Sequence, residues 1–440
     1  MANTYLTRTF GSVPSITKFT WSGWVKRSKL GTQQAMISGY QNSNTGQLFY
    51  FTGDDKLAYY AQAGGVVKCN VITNAVFRDT SAWYHIMLVV DSTQSTAANR
   101  VKFYVNNVLE SYATTVAHAL NWEAYFMVTV PTNVGRNGMN TSNYFEGVMS
   151  HMHMTHGYLY TPSTFGETDS LTGEWKIKTD PTVNYNSNGF FILKDANTGT
   201  DYSGNSETFS SGGGTLTKTE DNPSNVFATL NPLDNYFAQN TFSYGNTRQL
   251  TDNSRYAWST STLGMTSGKY YCEVRHSGNI GDNYPEIGIA GRGLEDTSTA
   301  LGTVHNTVSY QYNGQILING TASSFGSAYS STAIIGIALD VTNSKIYFSL
   351  NGVWQGSGNP TTGANGKTIT TASTVRLGAY FFAGGDYGNS SRVTFDWNFG
   401  NGYFNSTAVS SAGTNASGNG IFEHDVPTGF TALSTKGLNL

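Results

Sequence analysis

The chain has 440 residues, enough that more than one domain is expected, and only 12% of them are charged. A formal net charge of −3 supplies no basic face for nucleic acid and no polybasic membrane signal, and no apolar run approaches the ~20 residues that span a bilayer. With 49 Gly, 27 Tyr and 24 Phe, and apolar residues that recur in twos, the composition suits short strands joined by tight turns.

Residues 1–15, MANTYLTRTFGSVPS, read as a polar N-terminal arm. They lack a charged stretch followed by an apolar core, so no secretory signal is expected and the chain is expected to be made in a cytoplasm. The first regular strand begins at Thr20-Trp21-Ser22-Gly23-Trp24-Val25. Ala35–Tyr40, Gln47–Phe51, Leu57–Gln62 and Val66–Ile72 follow as strands, separated by Gly, Asn and Asp. His85–Tyr112 reads as a β-meander. Its buried strand, Ile86 to Val90, ends in Asp91; Val101, Phe103 and Val105 then alternate, and Asn106-Asn107 turn the chain. Phe126–Val130 and Tyr144–His153 continue the sheets. Gly166–Tyr185 reads as irregular, anchored by Trp175, and Gly189–Leu193 as a last strand. A first domain is therefore expected over 16–209, with a polar extension after 165. The Ser210–Gly214 run marks a linker, drawn over 210–224.

A second domain is expected over 225–400. Gly268–Val274, Glu286–Ala290 and Val308–Tyr312 read as strands, and Asn313-Gly314 as a turn. Its centre is Ile334–Trp354. Ile335, Ile337 and Leu339 alternate with Gly336 and Ala338, then Ile346, Phe348 and Leu350 alternate with polar neighbours. Asn351-Gly352 is a strong hairpin signal, because a type I′ turn needs positive φ at both central positions. Val375–Phe382 and Arg392–Phe399 follow. The Gly/Ser/Asn-rich segment 401–440 is expected to wrap the domain and add little core. Cys69 and Cys272 sit in different halves on apparent strands and are expected as buried free thiols; two cysteines make neither a disulfide framework nor a cysteine-based zinc site.

The second half resembles a SPRY domain in its Gly268–Val274 strand, in Ile287-Gly288-Ile289-Ala290, in Tyr310–Gly320, in the Ile335–Gly352 meander and in Phe395–Gly400. The first half looks like a concanavalin A-like, laminin-G-like jelly roll, through Phe19–Val25, Trp83–Asp91, Val101–Asn107 and Phe145-Glu146-Gly147. The stretch from Leu159 through Leu233, and the Pro427-Thr428-Gly429-Phe430 ending, are similar to structural proteins of tailed bacteriophages. The fold class these imply is all-β: two tandem antiparallel β-sandwiches, a concanavalin A-like jelly roll followed by a SPRY-like domain.

Such sandwiches include glycan hydrolases, which need two acids across the sugar. The Glu-x-Asp-x-x-Glu signature of those enzymes is absent. Glu146, Glu273 and Glu286 lie near strands without an acidic partner two residues away, so they read as structural carboxylates. His151, His153 and His156 form the sharpest histidine cluster, and strand alternation would put His151 and His153 on one side; hydrogen-bonded structural histidines are the reading preferred over a metal site. Gly366-Lys367-Thr368 ends like a phosphate loop, but Thr361 stands where the leading Gly is required, so it reads as a plain loop. The laminin-G likeness makes Asp54, Asp55 and Asp91 candidate calcium ligands, although no cofactor is expected. Aromatic side chains near the second-half loops, Tyr284, Trp354 and Tyr387, are the candidate ligand- or partner-binding residues; Tyr380 reads as core.

The expected function is a non-enzymatic virion surface protein of a tailed phage, decorating the head or forming part of a fibre. Its expected partners are other virion proteins, host-surface glycan and further copies of itself, with no nucleic acid and no membrane. The alternatives are a secreted or surface carbohydrate-binding adhesin and a glycan depolymerase.

Overall fold

A computed structural model of the chain describes residues 3–170, 173–194, 198–234, 240–252, 256–277, 285–293, 299–386 and 392–439. The fold is all-β, and contacts divide it into two compact units, Met1–Lys218 and Thr219–Leu440.

The first unit has two large antiparallel sheets. One has eight strands in the spatial order Tyr112–Val116, Val66–Val76, Lys56–Ala63, Thr45–Phe51, Gln34–Asn42, Pro131–Val134, Tyr5–Thr9 and Ser210–Gly213. The other has six, in the order Phe190–Ile192, Gly147–His156, Lys18–Arg27, Tyr84–Asp91, Val101–Val105 and Val108–Leu109. Alternate residues of both sheets meet in one core. Trp21 packs edge-on to Phe49 at 5.2 Å, and Phe103 tilts against Phe49 at 5.4 Å.

Two expectations change here. The polar arm is not free: Tyr5–Thr9 pairs with Pro131–Val134 on one side and with Ser210–Gly213 on the other, and Leu6 and Phe10 are buried in the core. The Ser/Gly run is likewise a strand rather than a linker. Its small residues are required by a close approach, since a Cβ on Gly212 would fall 2.1 Å from the Tyr5 ring.

The second unit repeats the layered plan. One sheet runs Thr241–Ser243, Arg248–Leu250, Thr394–Asn398, Lys269–Ser277, Ile334–Asp340, Lys345–Leu350 and Val353–Trp354, with Lys367–Thr368 and Thr431–Ala432 pairing off this path. The other runs Ala257–Thr260, Phe381–Asp386, Pro285–Ala290, Thr307–Gln311, Gln315–Ile318 and Thr321–Ser324. The expected meander forms with Ile337 opposite Phe348, and Asn351 and Gly352 take φ of 47° and 80°. Its counterpart in the first unit turns through Asn106 and Asn107 at 47° and 71°.

The C-terminal segment does more than wrap. Phe422, Val426, Phe430 and Ala432 join Phe227, Tyr271, Ala338 and Tyr347 in a separate buried cluster. Beneath it, Glu273 accepts the backbone N–H of Glu423 and of His424, both at 2.8 Å. The apolar residues of this segment are too widely spaced to show a strand period, which is why its core contribution is silent in the sequence.

Candidate functional site

Of the aromatic candidates, Tyr284 and Tyr387 lie outside the described residues. Trp354 is partly buried, edge-on to Tyr271 at 6.4 Å and packed on the C-terminal cluster. Tyr380 is core, donating its hydroxyl to the Thr370 carbonyl at 2.8 Å.

The histidines are engaged by the chain itself. Pairing with Lys18–Arg27 shifts register between Ser150 and His153, and His151 takes φ of 47°, so a bulge breaks the simple alternation. Nδ1 of His151, His153 and His156 meets the Ser150 hydroxyl at 2.7 Å, the Tyr185 hydroxyl at 2.8 Å and the Ser187 carbonyl at 2.9 Å respectively. Among the described residues, no three His, Cys, Asp or Glu side chains are grouped to hold a metal ion.

Asp55 and Asp91 are similarly occupied, whereas Asp54 is exposed. Asp55 accepts Arg27 Nη2 at 2.9 Å, Arg78 Nε at 3.0 Å and the Gly31 N–H at 2.9 Å. Asp91 accepts the Thr93 hydroxyl and N–H and Gln94 Nε2, with Lys18 Nζ at 3.7 Å. Cations and donors of the chain stand where calcium would have to bind.

One pair has the look of nucleophile and base: Ser22 Oγ is 2.9 Å from His85 Nε2. Trp175 Nε1 donates to His85 Nδ1 at 3.0 Å, so Nδ1 carries the lone pair and Nε2 the proton. That tautomer gives a proton to Ser22 and cannot take one. Burial pushes His85 down to about 3, and both residues are closed to solvent, the His85 ring lying 5.0 Å from Trp24 and 5.9 Å from Trp175. Of the strand acids, Glu146 is partly exposed and paired with Lys29 at 2.8 Å, while Glu273 and Glu286 are closed off. Glu286 is fully buried, bonded to Gln311 at 2.8 Å, with burial first and the nearby Asp386 charge second holding its acid well above the ordinary range.

A different surface offers open polar chemistry. In Thr45–Phe51 and Lys56–Ala63, Phe49, Phe51, Leu57 and Tyr59 face the core. The alternate residues Leu48, Tyr50, Tyr60 and Gln62 line the opposite face, with Leu48 directly across from Tyr60. The loop after Pro131–Val134 closes this face into a groove of about 350 Å³, within the range of small-ligand sites, bringing Asn137, Met139 and Asn140 against the tyrosines; Gln33 and Ser43 complete the lining. Tyr60 donates to Gln62 Oε1 at 2.9 Å, and Gln62 Nε2 donates to the Ser43 carbonyl at 2.8 Å, which fixes both side chains. Burial, then the neighbouring Tyr60, pushes the Tyr50 phenol up, so it keeps its proton at neutral pH.

The loop is anchored from below. Ser38 Oγ donates to the Arg136 carbonyl at 2.8 Å and accepts the Gly138 N–H at 2.9 Å. Asn137 Oδ1 accepts the Met139 N–H at 3.0 Å, and Asn137 bridges Ser142. Gly138 is needed because a Cβ there would sit 2.1 Å from the Tyr40 ring. Two flat rings set among neutral amides are suited to a ligand with apolar faces and hydroxyl edges. This groove is not among the sites expected from the sequence. The available signal was aromatic residues at consecutive positions, Phe49-Tyr50-Phe51 and Tyr59-Tyr60, which put rings on both faces of one sheet.

Residues 2–160 match a laminin-G model described as the concanavalin A-like lectin/glucanases superfamily, so the first unit contains a domain of that kind, and the groove lies within the matched range. No curated protein matches the chain. Among solved structures, the SPRY domain of human HERC1 is 16% identical and aligns over 38% of this chain and 96% of its own, with a TM-score of 0.30. A heptameric SAP-like pentraxin from Limulus polyphemus is 14% identical over 37% of this chain and 74% of its own, at 0.28. The CBM40 of a Ruminococcus gnavus IT-sialidase, bound to α2,3-sialyllactose, is 15% identical over 34% and 81%, at 0.27. Likeness at this level says nothing of ligand or partner, and the virion setting expected from the sequence gains no support from it.

Proposed function

We propose that the protein is a non-enzymatic glycan-binding protein and that the groove on the eight-stranded sheet is its binding site. The observation that carries this reading is the placement of Tyr50 and Tyr60 with four neutral amide side chains around one open groove. Sugar rings bind through such pairings, a C–H face on an aromatic ring and hydroxyls on amides. The superfamily description of the matched segment, which names lectins and glucanases, supports the same chemistry. The inert tautomer of His85 and the closed position of Glu286 favour binding over cleavage.

The setting we propose is the surface of a tailed-phage particle, assembled in the host cytoplasm beside other virion proteins. It rests on the likeness of the Leu159–Leu233 stretch and the Pro427–Phe430 ending to phage structural proteins. Homo-oligomeric copies there would make weak sites effective by avidity. A glycan array run with a polysaccharide degradation assay tests the activity. Binding without release of reducing ends supports the reading; release of reducing ends, or no binding at all, overturns it. Mass spectrometry of purified particles tests the setting, which stands if the chain is present at stoichiometric copy number and falls if it is absent.

A further inference from the structure

Resting on the glycan-binding reading of the Tyr50–Tyr60 groove, we infer that the groove takes a neutral glycan and takes it without a metal ion. The lining contains no charged side chain of either sign: its polar members are tyrosines, a serine and the amides of Gln33, Gln62, Asn137 and Asn140. A sialic or uronic carboxylate entering this site would lose hydration without meeting a cation, which is costly, whereas a hydroxyl exchanges water for an amide at little cost. A calcium-bridged sugar is disfavoured for the complementary reason, since a hard divalent ion needs carboxylate oxygens and the groove has none. Of the three aspartates that the laminin-G likeness suggested for calcium, Asp55 is held by Arg27 and Arg78 and Asp91 by Thr93 and Gln94, while the exposed Asp54 is not part of the groove lining.

The hydrogen-bonding pattern points the same way. The Tyr60 hydroxyl donates its hydrogen bond to Gln62, so its oxygen is left as an acceptor. The Tyr50 phenol keeps its proton and is a donor as well as an acceptor. The walls therefore offer donors and acceptors in mixture, as sugar hydroxyls require, rather than the row of donors that grips an anion.

The test is a glycan array of neutral, sialylated and uronate-containing glycans, probed with the full chain in excess EDTA and again in excess calcium, followed by titration of the best binder. The inference predicts binding to neutral glycans that is equal in EDTA and calcium. Tyr60→Ala should weaken it about tenfold. Tyr60→Phe, which keeps the ring, should weaken it less. Asn140→Ala, at an exposed loop position whose Oδ1 accepts the Ser142 N–H at 3.2 Å, should also weaken it, with a melting temperature near that of the parent as the check on folding. Binding confined to acidic glycans, or lost in EDTA, overturns the inference while leaving glycan binding intact. Neutral-glycan binding that none of these substitutions weakens places the site elsewhere and overturns it too. No binding to any glycan by the folded protein overturns both the inference and the reading beneath it.

Discussion

Asn351 Oδ1 accepts the backbone N–H of Ile334 at 2.9 Å, and the Asn351 N–H returns a bond to the Ile334 carbonyl at 2.8 Å. The first unit repeats this between Asn106 and His85, at 2.8 Å and 2.9 Å. In each case an asparagine in the left-handed region turns the hairpin and also bonds to the start of the strand next to the one it ends. The two meanders thus share a device as well as a pattern.

Asn351→Gly keeps the favourable backbone and loses the side-chain bond, so it should cost about 1 kcal/mol. Asn351→Ala loses the bond and also forces a Cβ into positive φ, so it should cost about 2 kcal/mol. Chemical denaturation of the two variants checks the order; equal costs would show that the side-chain bond alone matters.

Glu273 fastens the C-terminal segment and should make stability depend on pH. Burial pushes its acid up from 4.5 to about 7, opposed by the N–H groups of Glu423 and His424 and by the Tyr271 hydroxyl. A raised folded value means the stabilisation is fully present below the ordinary range near 4.5 and is lost as pH rises through about 7. Glu286 has the same sign. Melting temperatures from about pH 5 to about pH 8 should therefore fall with a slope that Glu273→Gln reduces. The same variant cannot accept both backbone N–H groups, and proteolysis within 401–440 should quicken.

Arg27 is fully buried, with Asp55 at 2.9 Å, the Phe77 carbonyl at 2.6 Å and the Phe51 ring 4.3 Å beneath its guanidinium. Asp55→Asn tolerates the left-handed φ of 63° but leaves a buried cation without its counter-charge. A loss of about 3–5 kcal/mol in urea denaturation is expected. Arg27→Met, which removes the charge and keeps the volume, should cost much less.

Gly138→Ala should leave the core intact and impair the groove. The added methyl meets the Tyr40 ring, so the Asn137–Asn140 loop must lift away from Tyr50 and Tyr60. Glycan affinity should drop about tenfold with little change in melting temperature. A large loss of stability with unchanged affinity would mean the loop braces the fold and does not shape a site.

The hairpins were legible because their chemistry is local: Asn and Gly tolerate positive φ, and alternating Ile, Phe and Leu flank them. Tyr5–Thr9 was not legible. Its five residues, with Leu6 the lone aliphatic, become a strand only through partners more than a hundred positions away, at Pro131–Val134 and Ser210–Gly213. The groove was hidden for a related reason. Tyr50 and Tyr60 are indistinguishable in pattern from the core-facing Phe49 and Tyr59, and the loop that turns their outer face into a site arrives from Asn137 onward. Trp354 illustrates the converse, a conspicuous tryptophan at a turn that packs on Tyr271.

Hydrogen–deuterium exchange with and without the tightest array glycan tests the central claim most directly. Protection confined to 45–62 and 136–143 is the predicted result. Glycan-induced protection elsewhere with none in those two segments would contradict it.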